Sequence, residues 1–371
     1  MKNNNEKISI FTKYNKLFFM LLSILIGLLV GALALILAGY NPLEAYKLML
    51  EGIFKRPKNV GWTIVNAIPI IFTGLGVAFA FKTGLFNIGA EGQYIVGTMV
   101  AFLLGYNLHL PAFIHVPVVI IVGMLAGAAF GALAGFLKAK FGIHEVISTI
   151  MLNWIAFYFN NMVANYPKFK APNSMGTHEV QESAKITLMQ NVKGLPKAID
   201  NFFKAPIHLG LILAIVAAIL LWYILKKTNL GYELKAVGLN QDAAKYGGID
   251  VNKKLTLSMA ISGAVCSLGG ITQVLGYRYT ISALSSMENF GFENFGFDGL
   301  AVSLLANNNP IGCIFSGLFF GGLKYSGANV QRVLHAPTEM INIIMGTIIL
   351  FTAIPLMFRI IKSRFKNKGG K

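Results

Sequence analysis

Apolar residues are grouped along this chain in long runs, which are separated by shorter segments rich in charged residues, asparagine and proline. A helix needs about 20 predominantly apolar residues to cross the hydrocarbon core of a bilayer. The pattern therefore predicts an all-α polytopic membrane protein with about ten transmembrane helices. The predicted spans are 17–37, 60–81, 84–105, 117–137, 145–164, 207–225, 255–276, 294–306, 311–327 and 338–359.

The third run differs from the others because Asn87, Glu91 and Gln93 stand in its first half among glycines. A carboxylate at hydrocarbon depth costs roughly 3 kcal/mol or more, so it normally faces a bundle interior or a water-filled path. If the segment is helical, Asn87 and Glu91 share one face, and the glycines allow a break or a close backbone approach. Glu91 is therefore a candidate functional residue. The alternative is a glutamate that helix ends hold near the cytoplasmic interface.

A second copy of this pattern opens the eighth run. Residues 87–92 read Asn-Ile-Gly-Ala-Glu-Gly, and residues 294–299 read Asn-Phe-Gly-Phe-Asp-Gly. Glycine-interrupted segments in corresponding places of two halves are typical of inverted repeats that meet at a translocation path. An odd number of spans in each half makes the halves inverted. We therefore predict two inverted five-helix repeats with both termini in the cytoplasm.

The spans also define the predicted organisation of the chain. Its parts are a cytoplasmic tail (1–16), a first five-helix half (17–164), an extracytoplasmic insertion (165–206), a second five-helix half (207–360) and a basic cytoplasmic tail (361–371). The second half contains a cytoplasmic loop at 226–254. Basic residues crowd this loop and the final tail, as expected for the cytoplasmic side of a membrane protein.

Composition supports the membrane assignment and excludes other classes of protein. Hydrophobic residues make up 55% of the chain and charged residues only 13%, which is not the composition of a soluble domain. The formal net charge of +17 comes from loops and the C-terminus, where the positive-inside rule places basic residues. Nucleic-acid binding is therefore not indicated. We expect a multi-pass protein of the plasma membrane.

Cysteine and histidine give no sign of a metal or disulfide framework. Cys266 and Cys313 both lie in apolar runs and are interpreted as small buried hydrophobic residues. The six histidines are scattered without the spacing of metal ligands. No resident metal is expected.

Two further spans carry patterns at helical spacing. In the fifth run, Glu145, Thr149 and Asn153 follow one another four residues apart and share one helical face. This polar line either faces the path or makes hydrogen bonds between helices. In the fourth run, every fourth residue from 123 to 135 is glycine, which permits close packing of a neighbouring helix.

The cytoplasmic loop 226–254 carries a motif of its own. Residues 242–246, Asp-Ala-Ala-Lys-Tyr, predict a short helix that glycines close. A charged helix parallel to the membrane suits a transporter that receives force from a motor subunit; an ordinary amphipathic connector is the alternative. The candidate coupling residues are Gly238, Asn240, Asp242, Ala243, Ala244, Lys245, Tyr246 and Gly248.

Two stretches identify a known family. Residues 73–93 read TGLGVAFAFKTGLFNIGAEGQ, and residues 144–153 read HEVISTIMLN. The first closely resembles the permease subunits of ABC importers in the branched-chain amino acid and simple sugar group. The second, together with residues 236–249 and 296–310, looks most like the nucleoside uptake branch of that group. The resemblance covers nearly the whole chain beyond residue 40.

The resemblance implies a helical permease related in fold to the cobalamin and iron-siderophore importers. Its partners would be a second homologous permease subunit, cytoplasmic ATP-binding subunits and an extracytoplasmic substrate-binding lipoprotein. ATP and Mg²⁺ would bind to the partner subunits, which agrees with the lack of a Gly-x4-Gly-Lys-Ser/Thr phosphate loop in this sequence. The chain is thus expected to serve nucleoside import without being an enzyme itself.

The mechanism expected from the resemblance is alternating access, with substrate released by the binding protein into a cavity between two permeases. A nucleoside requires hydrogen bonds to its ribose and base and an aromatic face for the base. The candidate path residues are Asn87, Glu91, Gln93, Asn153, Phe297 and Asp298. Glu91 and Asp298 have an alternative role beside their glycines, which is to cap backbone N–H groups of broken helices.

Two other functions remain open at the level of sequence. A simple-sugar importer would differ in substrate only, and substrate choice rests largely with the binding protein. An ion-coupled secondary transporter would use Glu91 and Asp298 to carry protons or sodium. Such a carrier has no need of a docking helix in the loop 226–254, which favours the importer.

Overall fold

The computed structural model describes residues 21–172, 174–188, 196–284, 294–335, 337 and 340–351. The tails predicted at 1–16 and 361–371 lie outside these ranges. Within them the chain is helical, and its extended pairings are three isolated bridges. The helices are α1 (Leu21–Leu37), α2 (Pro42–Phe54), α3 (Pro57–Phe81), α4 (Ala90–Asn107), α5 (Ala112–Phe141), α6 (Glu145–Ala164), α7 (Lys197–Phe203), α8 (Gly210–Lys227), α9 (Asn229–Leu239), α10 (Gln241–Tyr246), α11 (Val251–Gln273), α12 (Phe295–Leu305), α13 (Pro310–Leu334) and α14 (Met340–Phe351). A π-helical turn, Val274–Arg278, continues α11.

Five of the described helices are long and apolar enough to cross a membrane: α3, α5, α6, α8, and α11 with its π-helical turn. Three shorter apolar helices, α1, α12 and α14, accompany them. Helix α4 has 18 residues, but Glu91, Gln93 and Asn107 dilute its apolar character. The prediction of an all-α polytopic membrane protein is confirmed.

The chain forms two compact units, Phe54–Gly322 and a smaller unit made of Met1–Ile53 with Leu323–Lys371. In the smaller unit, α1 packs on α14, where Gly27 lies directly against Ile348. Small residues at such contacts let helix backbones approach closely in lipid, where no hydrophobic force drives helices together. The larger unit contains all the predicted path and coupling residues.

Helices α3 and α11 form the centre of the larger unit. In their most apolar stretches, 83% and 72% of the residues are buried. The two helices run antiparallel, because Gly76 near the end of α3 lies against Ser262, whereas Gly269 near the end of α11 lies against Pro69. The remaining helices of this unit pack around this pair.

The glycine stripe predicted in the fourth span is the surface through which α5 packs on α11. A Cβ at Gly127 would approach the carbonyl oxygen of Gly263 to 2.6 Å, which is closer than packed atoms tolerate. The same arrangement occurs between α13 and α3, where Gly321 lies against Ala67. These glycines therefore serve helix packing.

The third predicted span, 84–105, is not helical from its start. Gly84 has a φ of +74°, which glycine adopts without steric cost, and the helix begins only at Ala90. Asn87 thus precedes the helix. The condition for a shared helical face of Asn87 and Glu91 is therefore not met, and the start of this span has the break that its glycines allow.

Other differences concern one unpredicted helix and the helix ends. Helix α9 lies within the loop 226–254 and was not predicted, because its eleven residues form no apolar run. Helix α13 continues to Leu334, beyond the predicted end at 327. The tenth predicted span, 338–359, is described only over α14, and its remaining residues lie outside the described part of the chain.

Candidate functional site

Buried polar side chains meet at the segment that precedes α4. The amide nitrogen of Asn87 donates to Gln93 Oε1 at 2.9 Å and to Ser262 Oγ at 2.8 Å. Gln93 Nε2 donates back to Asn87 Oδ1 at 3.3 Å, and Ser262 Oγ donates to the carbonyl oxygen of Gly76 at 2.7 Å. Asn87 and Gln93, both predicted as path residues, are thus bonded to each other. Together with Ser262 they tie the start of α4 to the central pair α3 and α11.

Asn153 on α6 binds the first turn of α4. Its Oδ1 accepts a hydrogen bond from the backbone N–H of Gly92 at 2.8 Å, and its Nδ2 donates to the carbonyl oxygen of Ile88 at 3.1 Å. The first N–H groups of a helix have no partner within it, so Asn153 supplies an acceptor that α4 lacks. At this position the polar line on α6 makes hydrogen bonds between elements.

Glu91 on α4 binds the first turn of α12. Its Oε2 accepts a hydrogen bond from the backbone N–H of Gly296 at 2.5 Å, and only 2% of the residue is exposed. The carboxylate therefore lies at the positive end of the α12 helix dipole. One turn further along α4, the ring of Tyr94 packs edge-to-face on Phe295 with centroids 5.5 Å apart. This geometry is the one expected of a glutamate that caps a broken helix.

Asp298 and Phe297 both lie in the first turns of α12. Asp298 is 8% exposed and Phe297 is half-buried. The start of this helix is fixed by α3 as well, since the hydroxyl of Thr73 donates to the carbonyl oxygen of Phe295 at 2.7 Å. Glu91 and Asp298 thus occupy the first turn of α4 and α12 respectively, and these are equivalent positions in the two copies of the repeated motif.

A cavity of about 50 Å³ lies beside Glu91. Its polar lining comes from four parts of the chain: Glu91, Tyr94 and Thr98 of α4, Asn160 of α6, Gln273 with Arg278 at the end of α11, and Thr280 with Ser282 in the segment that follows. Of these residues, only Glu91 was predicted. The residues on α4 recur at intervals of three and four, so their common helical face was available as a signal.

The segment between α3 and α4 also contacts charged residues. Lys138 Nζ on α5 lies 2.5 Å from Glu145 Oε2 on α6. The other carboxylate oxygen of Glu145 accepts a hydrogen bond of 3.4 Å from the backbone N–H of Phe86. This ion pair joins the ends of two spans to the segment from which α4 begins.

The loop 226–254 folds into α9 and α10. Asn240 caps α10, since its Oδ1 accepts a hydrogen bond from the N–H of Ala243 at 2.9 Å, and the short helix predicted here is confirmed. Ala244 is 4% exposed and packs with Val237 in a hydrophobic cluster that includes Leu85. The other candidate coupling residues on and after α10 are exposed: Asp242, Ala243, Lys245, Tyr246 and Gly248.

Gly238 brings this loop into contact with the segment before α4. A Cβ at Gly238 would overlap the carbonyl oxygen of Lys82 and lie 3.0 Å from the backbone nitrogen of Gly84. A Cβ at Gly84 would in turn lie 3.4 Å from Gly238 Cα. Two backbones thus touch without intervening side chains. The loop of α9 and α10 is therefore packed directly against the segment from which α4 begins.

The cysteines and the potential metal ligands are dispersed in this part of the chain. Among the described residues, no group of three His, Cys, Asp or Glu side chains is placed to hold a metal ion. Cys266 and Cys313 are buried, as predicted, and form no disulfide.

Comparison with known proteins identifies relatives along almost the entire chain. The family model described as "Branched-chain amino acid transport system / permease component" matches residues 59–353. The chain is 37% identical to the guanosine ABC transporter permease protein NupP of Bacillus subtilis, over 94% of its own length and 96% of that protein. It is 33% identical to the nucleoside ABC transporter permease protein NupB of Lactococcus lactis subsp. cremoris, over 95% of each chain. It is 28% identical to the glucose ABC transporter permease protein TsgB13 of Haloferax volcanii, over 89% of its length and 85% of that protein. No solved structure matches the chain.

Proposed function

Because the chain belongs to the family of permease components of branched-chain amino acid transport systems, we propose that it is the membrane subunit of an ATP-driven nucleoside importer. It is a multi-pass protein of the plasma membrane and a transport component, not an enzyme. The proposed substrate class rests on how similar the chain is to relatives that are named for different substrates. The guanosine and nucleoside permeases are 37% and 33% identical to it, and the glucose permease is 28% identical.

The family implies an assembly with ATP-binding subunits and a substrate-binding protein. The sequence contains no Gly-x4-Gly-Lys-Ser/Thr phosphate loop, which supports ATP and Mg²⁺ binding on the partner subunits. A second homologous permease completes the proposed path, and the substrate-binding lipoprotein docks on the insertion 165–206.

The proposed docking site for an ATP-binding subunit is the loop of α9 and α10. Leu239 is 88% exposed and Tyr246 is 98% exposed, although the loop is otherwise rich in charged residues. Exposed apolar and aromatic side chains within a polar surface are typical of interface anchors. Behind this surface, Gly238 and Ala244 connect the loop to the segment before α4.

The proposed topology has ten spans in two inverted five-helix repeats, with both termini in the cytoplasm. Packing within the larger unit supports the repeat. Helix α5 packs on α11 as α13 packs on α3, in both cases through glycines of the outer helix. Likewise α4 meets α11 at Gly97 and Gly270, and α12 meets α3 at Gly74 and Gly299. In each comparison the two contacts join corresponding helices of the two halves.

The proposed mechanism is alternating access. Closure of the ATP-binding subunits moves α10, and Gly238 passes this movement to the segment before α4. Helix α4 is bonded to α6 through Asn153 and to α12 through Glu91, so the helices around the path move as connected bodies. Asn87, Glu91, Gln93, Asn153, Phe297 and Asp298 remain the candidates for the lining of the path.

Uptake of labelled guanosine or uridine tests the function. Cells with and without this chain are compared, with and without ATP depletion, and with excess unlabelled ribose. We expect uptake that requires the chain and ATP and that ribose does not compete. Uptake that is lost to ribose would assign the importer to sugars, the alternative that the glucose relative represents. Uptake that survives ATP depletion but not an ionophore would indicate an ion-coupled carrier.

A further inference from the structure

The cavity beside Glu91 is bordered by polar side chains that the protein keeps from solvent and lipid. Glu91, Asn160, Gln273 and Tyr94 are 2%, 3%, 6% and 7% exposed, respectively. Polar residues within membrane spans are costly to bury and typically mark a substrate or ion pathway. We propose that this cavity is the closed form of the substrate site, with Tyr94, Thr98, Asn160 and Gln273 as its hydrogen-bonding residues. The proposal rests on the proposed function and specifies where in the chain the nucleoside binds.

A π-helical turn at the end of α11 brings two polar side chains to the cavity. Residues five apart in an α-helix lie about 140° apart around the axis. A turn that closes after five residues, as in Val274–Arg278, brings the residues at its two ends toward the same side. Both Gln273 and Arg278 line the cavity. Single π-helical turns within α-helices occur frequently at functional sites, because they redirect side chains in this manner.

The lining suits a neutral ligand with a planar ring. Its side-chain amides and hydroxyls include both donors and acceptors, as the ribose and base of a nucleoside require. The ring of Tyr94, held edge-to-face by Phe295, offers an aromatic surface for a base. Among the described residues, the lining contains one carboxylate, Glu91, and one guanidinium, Arg278, whose charges offset each other, so the cavity offers no net positive charge for a phosphate. The chemistry of the lining therefore suits nucleosides better than nucleotides.

On this proposal, the small size of the cavity corresponds to a closed state of the substrate site. A volume of about 50 Å³ accommodates a few water molecules and is too small for a nucleoside. The segment from Thr280 to Leu284 closes one edge, because Asn160 Nδ2 donates to the carbonyl oxygen of Ser282 at 3.0 Å and Leu284 N–H donates to Asn161 Oδ1 at 2.7 Å. Substrate entry requires this edge to open, as alternating access demands of a site closed on one side.

The first experiment measures the concentration dependence of labelled guanosine uptake for two variants. Gln273→Leu and Tyr94→Phe remove hydrogen-bonding atoms and keep approximate shape. We expect each to raise the half-saturating concentration about tenfold, which corresponds to the loss of one good hydrogen bond. The matched control is Thr272→Val, since Thr272 is fully buried and does not line the cavity; its hydroxyl donates to the carbonyl oxygens of Leu268 and Gly269 within α11. The control should transport as the unaltered chain does.

The second experiment does not depend on transport by a damaged variant. Thr98→Cys is labelled with a small thiol reagent in the assembled transporter, while Cys266 and Cys313 are buried and stay unlabelled. Guanosine should slow the labelling, and guanosine 5′-monophosphate should not. Thr272→Cys serves as the control and should stay unlabelled in both conditions.

The outcomes separate this proposal from the proposed function. If the unaltered chain transports guanosine, but both lining variants keep its half-saturating concentration and guanosine gives Thr98→Cys no protection, the cavity is not the substrate site. If the unaltered chain transports no nucleoside, the proposed function itself fails. Equal protection by the nucleotide would overturn the assignment of ligand class.

Discussion

The junction of α4 with α12 and the loop formed by α9 and α10 use polar residues in opposite ways. In the junction, Glu91 and Asn153 are buried and accept hydrogen bonds from the first N–H groups of a helix. In the loop, Asp242, Lys245 and Tyr246 are exposed, and the attachment is made by small residues and backbone. Lipid offers no partner for a helix end, so the junction must satisfy its own polar groups. In the proposed topology the loop faces water, and its exposed polar groups can bind a partner subunit.

This difference predicts how variants in the two regions behave. A change in the junction leaves a buried group without a partner and reduces the stability of the chain itself. A change on the exposed surface of the loop has little effect on the free energy of unfolding. It affects only the proposed coupling between an ATP-binding subunit and the segment before α4. Thermal unfolding of the purified chain and uptake by the assembled transporter measure these two effects separately.

The largest loss of stability is expected for Gly296→Ala. A Cβ at this position would overlap the backbone nitrogen and Cα of Glu91, so α4 and α12 must separate and the carboxylate cap is lost. We expect no correctly folded transporter in the membrane, measured by size-exclusion chromatography of a fluorescent fusion. The control Gly346→Ala adds its Cβ in open space and should leave the profile unchanged. A folded Gly296→Ala variant with full uptake would contradict the contact described here.

Glu91 gives a smaller and more informative effect, because two substitutions separate its cap from its charge. Glu91→Leu leaves the N–H of Gly296 buried without an acceptor, which costs about 1–3 kcal/mol. Glu91→Gln keeps an acceptor oxygen in the same place. We expect the midpoint of thermal unfolding to fall by several degrees for Glu91→Leu and to change little for Glu91→Gln.

The uptake of Glu91→Gln then decides between two roles for this carboxylate. Retained uptake indicates that Glu91 acts as a helix cap, and ion coupling through its charge is excluded. Lost uptake at unchanged stability shows that the charge itself is needed. Equal destabilisation by both substitutions would mean that the cap does not account for the buried position of Glu91.

The same two regions show how far sequence alone reaches. The short helix in the loop was predicted because capping and glycine termination are local signals. The repeated motif predicted corresponding positions for the two acids, and the structure places each of them in the first turn of a helix. The bonding partners were not predicted. Asn87 bonds to Ser262, which is 175 positions away, and periodicity along one helix does not indicate which element lies opposite. Tyr94 and Gln273 have no distinguishing sequence signal, because each stands in an apolar run that is long enough for a membrane span.

Gly238→Ala should separate the loop from the segment before α4, through which the loop contacts the junction. Its Cβ would overlap the carbonyl oxygen of Lys82 and displace α9 from the segment before α4. Because the position is exposed, we expect a small change in unfolding midpoint but a fall in guanosine uptake of about tenfold. ATP hydrolysis by the assembled transporter should continue without the corresponding uptake.

The matched control lies in the same loop. A Cβ at Gly247 would approach its nearest neighbours only to 3.4 Å, an ordinary van der Waals contact, and the residue has a φ of −76° that alanine adopts without strain. Gly247→Ala should transport as the unaltered chain does. If both glycine variants behave alike, the contact between Gly238 and Lys82 does not carry the coupling.

Tyr246→Ala should have the smallest effect on stability of the four. The side chain is 98% exposed, and surface substitutions of this kind usually change stability by no more than about 0.5 kcal/mol. If Tyr246 anchors an ATP-binding subunit, uptake and co-purification of that subunit should nevertheless fall at least tenfold. Full uptake by this variant would indicate that the loop is an ordinary amphipathic connector. Loss of uptake with an unchanged unfolding midpoint would place the force-receiving surface on α10, because an exposed aromatic side chain has no other role in the isolated chain that its removal could disturb.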